Sequence, residues 1–184
     1  MSRAEFPASP AQDIDARRNF RGPTVGDGIL TPELAEFCQS GVFVVLASAV
    51  PPNRPVLAQG LGVRVFMNGL VRVLVWRAAA APVIDALTAG GGIAATFSRP
   101  RTHRSIQLKA DSATVAVADA EDRAQALAQS RAFGDDLVSV GYLPEFAATY
   151  IRFVPDEVAA IDFLPTSAFA QTPGPGAGAA IKPA

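Results

Sequence analysis

The stretch VLAQGLGVRVFMNGLVRVLVW, residues 56–76, decides the fold. It consists of two runs rich in β-branched residues, 56–66 and 70–76, on either side of Met67-Asn68-Gly69. Asn-Gly between two such runs is the strongest short-range signal of a β-hairpin, because both residues tolerate the positive φ angles of a tight turn. The apolar run VFVVLASAV at 42–50 predicts one more strand before them. The centre of the chain is therefore predicted to be three consecutive antiparallel strands.

The strand at 56–66 has two different faces. Two glycines on one face leave a flat patch, which permits the close approach of a ligand, a partner or another backbone. A bend or bulge in a curled sheet explains the pattern equally well, so both interpretations stay open. Strict alternation places Leu57, Gln59, Leu61, Val63 and Val65 on one face and Val56, Ala58, Gly60, Gly62, Arg64 and Phe66 on the other.

The rest of the chain adds strands and short helices without repeated βαβ units. Six or seven strands in meander order predict a mainly β fold, a small antiparallel barrel with peripheral helices. Residues 1–30 are predicted to form an extended arm, 31–164 the domain, and 165–184 a mobile Gly/Pro-rich tail. Helices are expected at 31–41, from Pro82, and from Asp119 to about 133, where Asp119 and Asp122 have the spacing of a capping box and Gly134 ends the helix. Further strands are expected at 93–98, 104–118 and 148–163.

Composition argues against several classes of protein. The net charge of −1 lacks the basic excess of a nucleic-acid-binding domain. One histidine and one cysteine cannot form a zinc or haem site of the usual kind, so no metal is expected, and Cys38 is predicted to be a core residue. Without a signal peptide or an apolar run near the ~20 residues of a membrane helix, a soluble cytoplasmic protein is expected. Because only 18% of the residues are charged, a partner chain is expected to cover some apolar surface.

The segment RTHRSIQLKAD, residues 101–111, contains many polar residues although it includes a predicted strand. Ser105, Gln107 and Lys109 share one face, while Arg104, Ile106 and Leu108 share the other. An exposed sheet face would look the same. However, Arg99, Arg101, Thr102 and His103 gather cations and a hydroxyl at the entrance of the strand, and such groups suit a bound phosphate or another oxyanion.

The order of these features resembles the split β-barrel flavoproteins related to pyridoxamine 5′-phosphate oxidase. The resemblance covers about residues 31–164. It depends on a helix before an apolar first strand, Arg64 on the second strand, the Asn-Gly hairpin, a helix that ends before GIAATFS, and the pattern T-x-R-S-I-Q-L-K. It implies a six-stranded antiparallel split β-barrel that forms a homodimer, with FMN between the two subunits.

The same resemblance implies which residues bind the cofactor. Arg64 would face the phosphate or the ring edge, and Trp76 and Arg77 would lie along the flavin. Arg104, Ser105 and Gln107 would donate to the ring or the ribityl chain, with Thr102 near the entrance. The chain departs from the family at Ala78–Ala81, where Ser, Thr, Arg or Lys commonly hold the phosphate.

Three functions follow from this resemblance. The first is an FMN-dependent oxidoreductase that acts on an unknown small substrate, with His103 the available proton donor. The second is a non-catalytic flavin- or anion-binding dimeric module with a degenerate site, which the alanine run favours. The third is a structural dimer with a vestigial site.

Overall fold

The computed structural model describes residues 7–26, 28–50 and 54–182. None of the helices described there combines the length and the apolar composition that a membrane span requires. The helices are α1 (Pro10–Asn19), α2 (Pro32–Gln39), α3 (Arg77–Thr88), α4 (Ala120–Ser139) and α5 (Pro144–Tyr150), with a 3₁₀ turn at Pro155–Glu157. The strands are β1 (Phe43–Val50), β2 (Arg54–Val65), β3 (Val71–Trp76), β4 (Ile93–Ser98), β5 (Ser105–Ala110), β6 (Thr114–Val117), β7 (Val158–Phe163) and β8 (Ser167–Ala170).

The strands form one antiparallel sheet in the order β6-β7-β3-β2-β1-β4-β5-β8. The sheet curls, because side chains from every strand except β6 meet in one core cluster. The predicted mainly β fold with peripheral helices is confirmed, but the sheet has eight strands rather than six. One reason is that the polar pair Asp111-Ser112 divides the strand predicted at 104–118. Its first half pairs with β4 and β8, and its second half pairs with β7.

The predicted hairpin is formed by β2 and β3, with Gly69 at a φ of 85° in its turn. Its register shifts once: Gly60 pairs with Val75 and Gly62 with Leu74, so Leu61 is an extra residue, as in a β-bulge. Beyond the bulge the alternation changes phase, and Val63 packs into the core together with Ala58. The predicted faces of this strand are therefore right before Leu61 and wrong after it.

The two glycines of β2 are required by the chain's own packing. A Cβ at Gly60 would lie 2.7 Å from Cγ1 of Val44, and a Cβ at Gly62 would lie 2.9 Å from Cα of Ala126 in α4. The same helix binds the irregular backbone, since the Gln129 side chain accepts from the Val63 amide at 2.9 Å and the Ser130 hydroxyl donates to the Leu61 carbonyl at 2.9 Å. Of the two interpretations of the glycine pair, the structure supports the bulge.

Both terminal segments fold against the sheet, which corrects two predictions. The predicted extended arm contains α1, whose start is capped by the Ser9 hydroxyl with Pro10 in the first turn. The predicted mobile tail contains β8, which pairs with β5, and Ile181 beyond it is buried in the core cluster. Alternating small and apolar residues in SAFA are enough for an edge strand, although the Gly/Pro-rich composition around them hides the pattern.

The C-terminal half holds more helix than predicted. The capping box of Asp119 and Asp122 is confirmed, but α4 continues past the predicted stop at Gly134. A Cβ at Gly134 would lie 3.1 Å from the Ile151 side chain, so this glycine accommodates packing rather than ending the helix. Residues 148–150, predicted to begin the closing strand, belong to α5, which starts with Pro144 in its first turn.

Candidate cofactor and ligand site

Four side chains cross the outer face of the sheet at the same level. Antiparallel pairing aligns Gln59 on β2 with Val45 on β1, Val45 with Thr96 on β4, and Thr96 with Gln107 on β5. All four are half-buried. We call them the outer row; it spans about 14 Å at the usual spacing between neighbouring strands. The outer row has polar groups at both ends and valine between them.

Polar side chains of β4 and β5 are paired with each other along this face. The Gln107 amide nitrogen donates to the Thr96 hydroxyl at 3.0 Å, and the Ser98 and Ser105 hydroxyls are 2.5 Å apart. The structure thus places Ser105 and Gln107 on one face, as the alternation predicted. It adds Thr96 and Ser98, which sequence analysis did not single out and which the pairing of two adjacent strands brings opposite them.

Trp76 and Arg77 lie at the β2–β3 end of the outer row. Trp76 follows Val75, which pairs with Gly60, so it is level with Gln59 on the same outer face. Its indole nitrogen donates to the Glu157 carboxylate at 2.6 Å. Arg77 is exposed and begins α3, whose N-terminus has neither a side-chain cap nor an acidic residue in its first turn. The free amides of a helix N-terminus favour an anion, and an arginine beside them adds to that preference.

Arg104 lies on the inner side and is only 2% exposed. Its guanidinium forms ion pairs with Asp13 of α1, at 2.8 Å, and with Glu33 of α2, and it stacks over the Phe37 ring. Burial lowers the pKa of Arg104, but the hydrogen bond that it donates to Glu33 and the two carboxylate charges outweigh burial and raise the pKa. Burial also raises the pKa of Asp13, against the lowering effect of Arg104. This arginine fastens two helices to the sheet.

Thr102 is exposed in the loop before β5, where its hydroxyl accepts from the Arg104 amide at 3.4 Å. Together with Arg104 and Arg99, Thr102 lines a polar cavity of about 350 Å³ beside α2. Thr102 and Arg104 are therefore close together, but on a different side of the sheet from Ser105 and Gln107.

Arg64 is held by the first turn of α4. Its guanidinium contacts Asp122 at 2.7 Å and Glu121 at 2.6 Å. Opposite it in register, Arg72 bridges Asp122 at 2.9 Å and Asp162 at 2.7 Å. Burial raises the pKa of Asp122, but the Arg64 hydrogen bond and the other cationic contacts overcome this and hold the pKa below its usual value. Arg64 and the outer row lie on the same outer face, but the cation is already neutralised by carboxylates.

An aromatic pocket of about 450 Å³ opens beside the outer row. Its floor is formed by Ser98 and Ser105, two residues along their strands from Thr96 and Gln107, hence about 7 Å away. We call it the aromatic pocket; its walls contain the rings of Phe43, Phe133, Tyr142, Phe146 and Tyr150. These five rings form a connected cluster with centroid distances of 5.1–6.3 Å. Sequence analysis missed this cluster, although Tyr142, Phe146 and Tyr150 recur at the four-residue spacing of a helical stripe.

The loop between β4 and β5 brings two further groups to the aromatic pocket. Arg99 lies between this pocket and the polar cavity, and its guanidinium donates to the Ser40 hydroxyl. His103 is exposed and has a φ of 57°, a left-handed conformation that is uncommon outside glycine. The turn is closed by the Arg99 amide donating to the Arg104 carbonyl at 2.9 Å and the His103 amide donating to the Arg99 carbonyl at 2.8 Å. Residues in such sparsely populated conformations cluster at ligand sites.

Cys38 lies in the core and has no part in this site. Cys38 is fully buried, and burial raises the pKa of its thiol to about 12, so it is a core residue. Within the described ranges, no three His, Cys, Asp or Glu side chains are arranged to hold a metal ion.

Comparison with known proteins finds similar structures but no similar sequences. No protein-family model matches the chain, and no curated protein does. A protein of Lactobacillus delbrueckii, proposed to be a pyridoxamine 5′-phosphate oxidase, is 13% identical over 81% of this chain and 100% of its own, with a TM-score of 0.49. An F420 reductase is 14% identical over 72% of this chain and 93% of its own, with a TM-score of 0.42. A pyridoxamine 5′-phosphate oxidase-related, FMN-binding protein of Nostoc punctiforme is 13% identical over 90% of this chain and 83% of its own, with a TM-score of 0.40. The solved structures to which this chain is similar thus include proteins described as related to pyridoxamine 5′-phosphate oxidase, which is the family that the sequence resembles.

Proposed function

We propose that the protein is a flavoprotein that binds FMN along the outer row and acts as an oxidoreductase on a small substrate, as a homodimer. The observation that carries this proposal is the outer row itself, with amide and hydroxyl groups at its β4–β5 end and, beyond Trp76 at its other end, the start of α3 with Arg77, which no side chain caps within the described ranges. An elongated cofactor with a polar ring at one end and a phosphate at the other matches this distribution. The proposal depends on the residues of this chain, because a shared fold does not determine a ligand.

The ring end of FMN fits the side chains of β4 and β5. Gln107 offers both a donor and an acceptor, and Thr96 and Ser105 offer hydroxyl groups. These groups are now bonded to each other, so they can exchange partners with a ligand without being left unpaired. Val45 in the middle of the outer row would contact the flat ring. FMN, when bound, would supply hydride or electron transfer, and the protein groups would position it and tune its electronics.

The phosphate end fits α3 in spite of the alanine run. Ala78–Ala81 offer no hydroxyl groups, but the amides of the first turn of α3 are not used by any capping side chain. Arg77 is exposed beside them, and Trp76 lies between this helix start and the outer row. We therefore assign the phosphate to backbone amides and Arg77. Arg64 and Arg104, which the family resemblance also implicates, would bind FMN only by giving up the ion pairs described above.

A dimer would cover the open part of this outer face. Leu57, which is 64% exposed, pairs in register with the half-buried Ala47, next to the outer row. A partner subunit that covers these apolar side chains would also exclude water from the flavin. The expected result is a sedimentation coefficient that falls to the monomer value in Leu57→Lys, with loss of FMN in the same sample. A wild-type monomer at all concentrations would contradict the dimer.

The cofactor test is the visible absorption of the purified protein after loading with FMN and removal of the excess. We expect wild type to retain flavin, and both Ser105→Ala/Gln107→Ala and Arg77→Ala to bind it about tenfold more weakly, the size expected when one or two hydrogen bonds to a ligand are lost. Ser112→Ala, an exposed serine outside the site, is the matched control. Failure of wild type to retain any FMN would contradict the proposal.

The second candidate is a flavin-binding module without catalysis. It is favoured by the chemistry of the outer row, because Gln59, Val45, Thr96 and Gln107 include no group that exchanges protons near neutral pH. Turnover of NADH or NADPH by the FMN-loaded protein distinguishes the two: oxidation above the rate of free FMN supports the oxidoreductase, and its absence supports the module.

A further inference from the structure

Binding of FMN along the outer row does not explain the exposed, stacked rings of the aromatic pocket. Tyr142, Phe146 and Tyr150 leave 50%, 46% and 40% of their surface exposed. Tyr142 and Phe146 are stacked at 5.1 Å with an interplanar angle of 18°, and Phe146 and Tyr150 are stacked at 5.8 Å and 27°. Nearly parallel rings that remain half in water form a wall against which another flat ring can stack.

The pocket has the size of a small-molecule site. Its volume of about 450 Å³ lies within the range of ligand pockets, roughly 300–1,000 Å³. The wall opposite α5 is formed by Phe43 and Phe133, themselves stacked at 5.4 Å. Because the lining is mostly apolar, with aromatic rings in its walls, and the other polar groups come from β4, β5 and the loop between them, an occupant would be flat and apolar at one end and polar at the other.

The polar end carries positive charge. Arg99 lines the pocket, and within the described ranges it takes part in no ion pair, in contrast to Arg64, Arg101 and Arg104. Its guanidinium donates to the Ser40 hydroxyl and lies 5.8 Å from the centroid of the Phe37 ring, and it keeps further donors for a ligand. The Ser98 hydroxyl and the exposed His103 side chain complete the polar end. Such a group of donors suits a carboxylate.

We propose that the aromatic pocket binds a planar aromatic carboxylate, with its ring against Tyr142 and Phe146 and its acid group toward Arg99. This site is separate from the outer row, to which it is adjacent through Ser98 and Ser105. This inference goes beyond the proposed flavin function, and binding of the aromatic acid does not require bound FMN. If FMN occupies the outer row, the aromatic acid is the second ligand.

The test uses 2-naphthoate as the probe, titrated into the full-length protein and followed by the anisotropy of its own fluorescence. We expect saturable binding, weakened about tenfold in Phe146→Ala through lost stacking and burial and about fivefold in Arg99→Gln through lost charge. Tyr142→Ala is a second stacking variant, and both aromatic side chains are exposed enough for their removal to leave the core intact. Met67→Ala, which removes an exposed apolar side chain outside the pocket, should bind like wild type.

Three outcomes decide the inference, and each is distinguishable from the fate of FMN. Binding that is sensitive to Phe146 and Arg99 and unaffected by saturating FMN supports it, whether or not FMN itself binds. No binding at millimolar probe, or equal affinity in Phe146→Ala and wild type, overturns it. Competitive displacement of the probe by FMN also overturns it, because the aromatic pocket would then be the ring site of the flavin.

Discussion

The two sides of segment 104–107 differ in charge, although residues on the two sides alternate along the chain. On the inner side, the buried Arg104 is neutralised by carboxylates from α1 and α2. On the outer side, the side chains of Ser105 and Gln107 are neutral and hydrogen-bond to hydroxyl groups of β4. The charge serves the fold and the neutral polar groups remain available to a ligand. A cation beside a polar strand is thus weak evidence for an anion site until its partners are known.

The largest effect is expected from Arg104→Ala. It leaves Asp13 buried without its cation, and breaking a buried ion pair from one side costs about 3–5 kcal/mol of the free energy of unfolding. Urea denaturation measures this. Arg101→Ala is the control, because its side chain is 60% exposed against Asp136 and should cost less than about 1 kcal/mol. If Arg104→Ala instead kept its stability and lost FMN, the comparison of the two sides would be wrong.

A smaller loss is expected from Gly62→Ala, which adds a methyl group between β2 and α4. The new Cβ would lie 2.9 Å from backbone atoms of Ala126, so the helix has to shift, and overpacking of this kind costs about 1–3 kcal/mol. Denaturation of the variant checks the magnitude. Unchanged stability would mean that α4 is not seated closely on this part of the outer face.

The two buried carboxylates that pair with arginines, Asp122 and Asp13, should respond oppositely to acid. The pKa of Asp122 is lowered in the folded state, so its contribution to stability is present above the unfolded value of 3.8 and is lost as the pH falls below it. The pKa of Asp13 is raised, so protonation favours the folded state, and its contribution is lost as the pH rises from 3.8 through the folded value.

Denaturation at pH 7 and pH 3 tests this contrast. Asp122→Asn should lose less stability than wild type on acidification, and Asp13→Asn should lose more. The same slope in both variants would mean that the surroundings of the two carboxylates do not differ as described.

The smallest effect is expected from Gln107→Ala, which removes a half-buried amide whose place water can take. The loss of stability should stay below about 1 kcal/mol. Gln129→Ala removes the same chemical group at a buried position, where its oxygen accepts from the Val63 amide. It should cost about 1–3 kcal/mol, because an unpaired backbone donor would remain. Equal losses of stability in the two variants would mean that Gln107 stabilises the fold as Gln129 does.

Local signals predicted much of the fold. The Asn-Gly hairpin and the Asp119–Asp122 capping box depend on residues that are neighbours in the chain, and both are present. The phase change at Leu61 was not predictable by alternation, because it depends on the approach of α4 from a distant part of the chain. The same reason applies to β8, whose four residues become a strand only because the edge of β5 is free to pair with them.

The site was predictable to a similar degree. Alternation correctly placed Ser105 and Gln107 on one face, since this depends on local geometry alone. The partners of Arg104 lie 91 and 71 residues away, so no local pattern could show that this cation is neutralised. The aromatic wall could have been recognised from the spacing of Tyr142, Phe146 and Tyr150, but the strand predicted at 148–163 separates Tyr150 from the other two.

The C-terminal segment has a consequence for how the chain can be shortened. Beyond β8, the Thr172 hydroxyl accepts a hydrogen bond from the Ser105 amide at 3.1 Å, and the Ile181 amide donates to the Ala168 carbonyl at 2.8 Å. Truncation before Ser167 would strip these partners from β5 and expose a row of unpaired amides and carbonyls, a template for pairing with other molecules. A shortened protein would therefore aggregate through the very strand that carries Ser105 and Gln107.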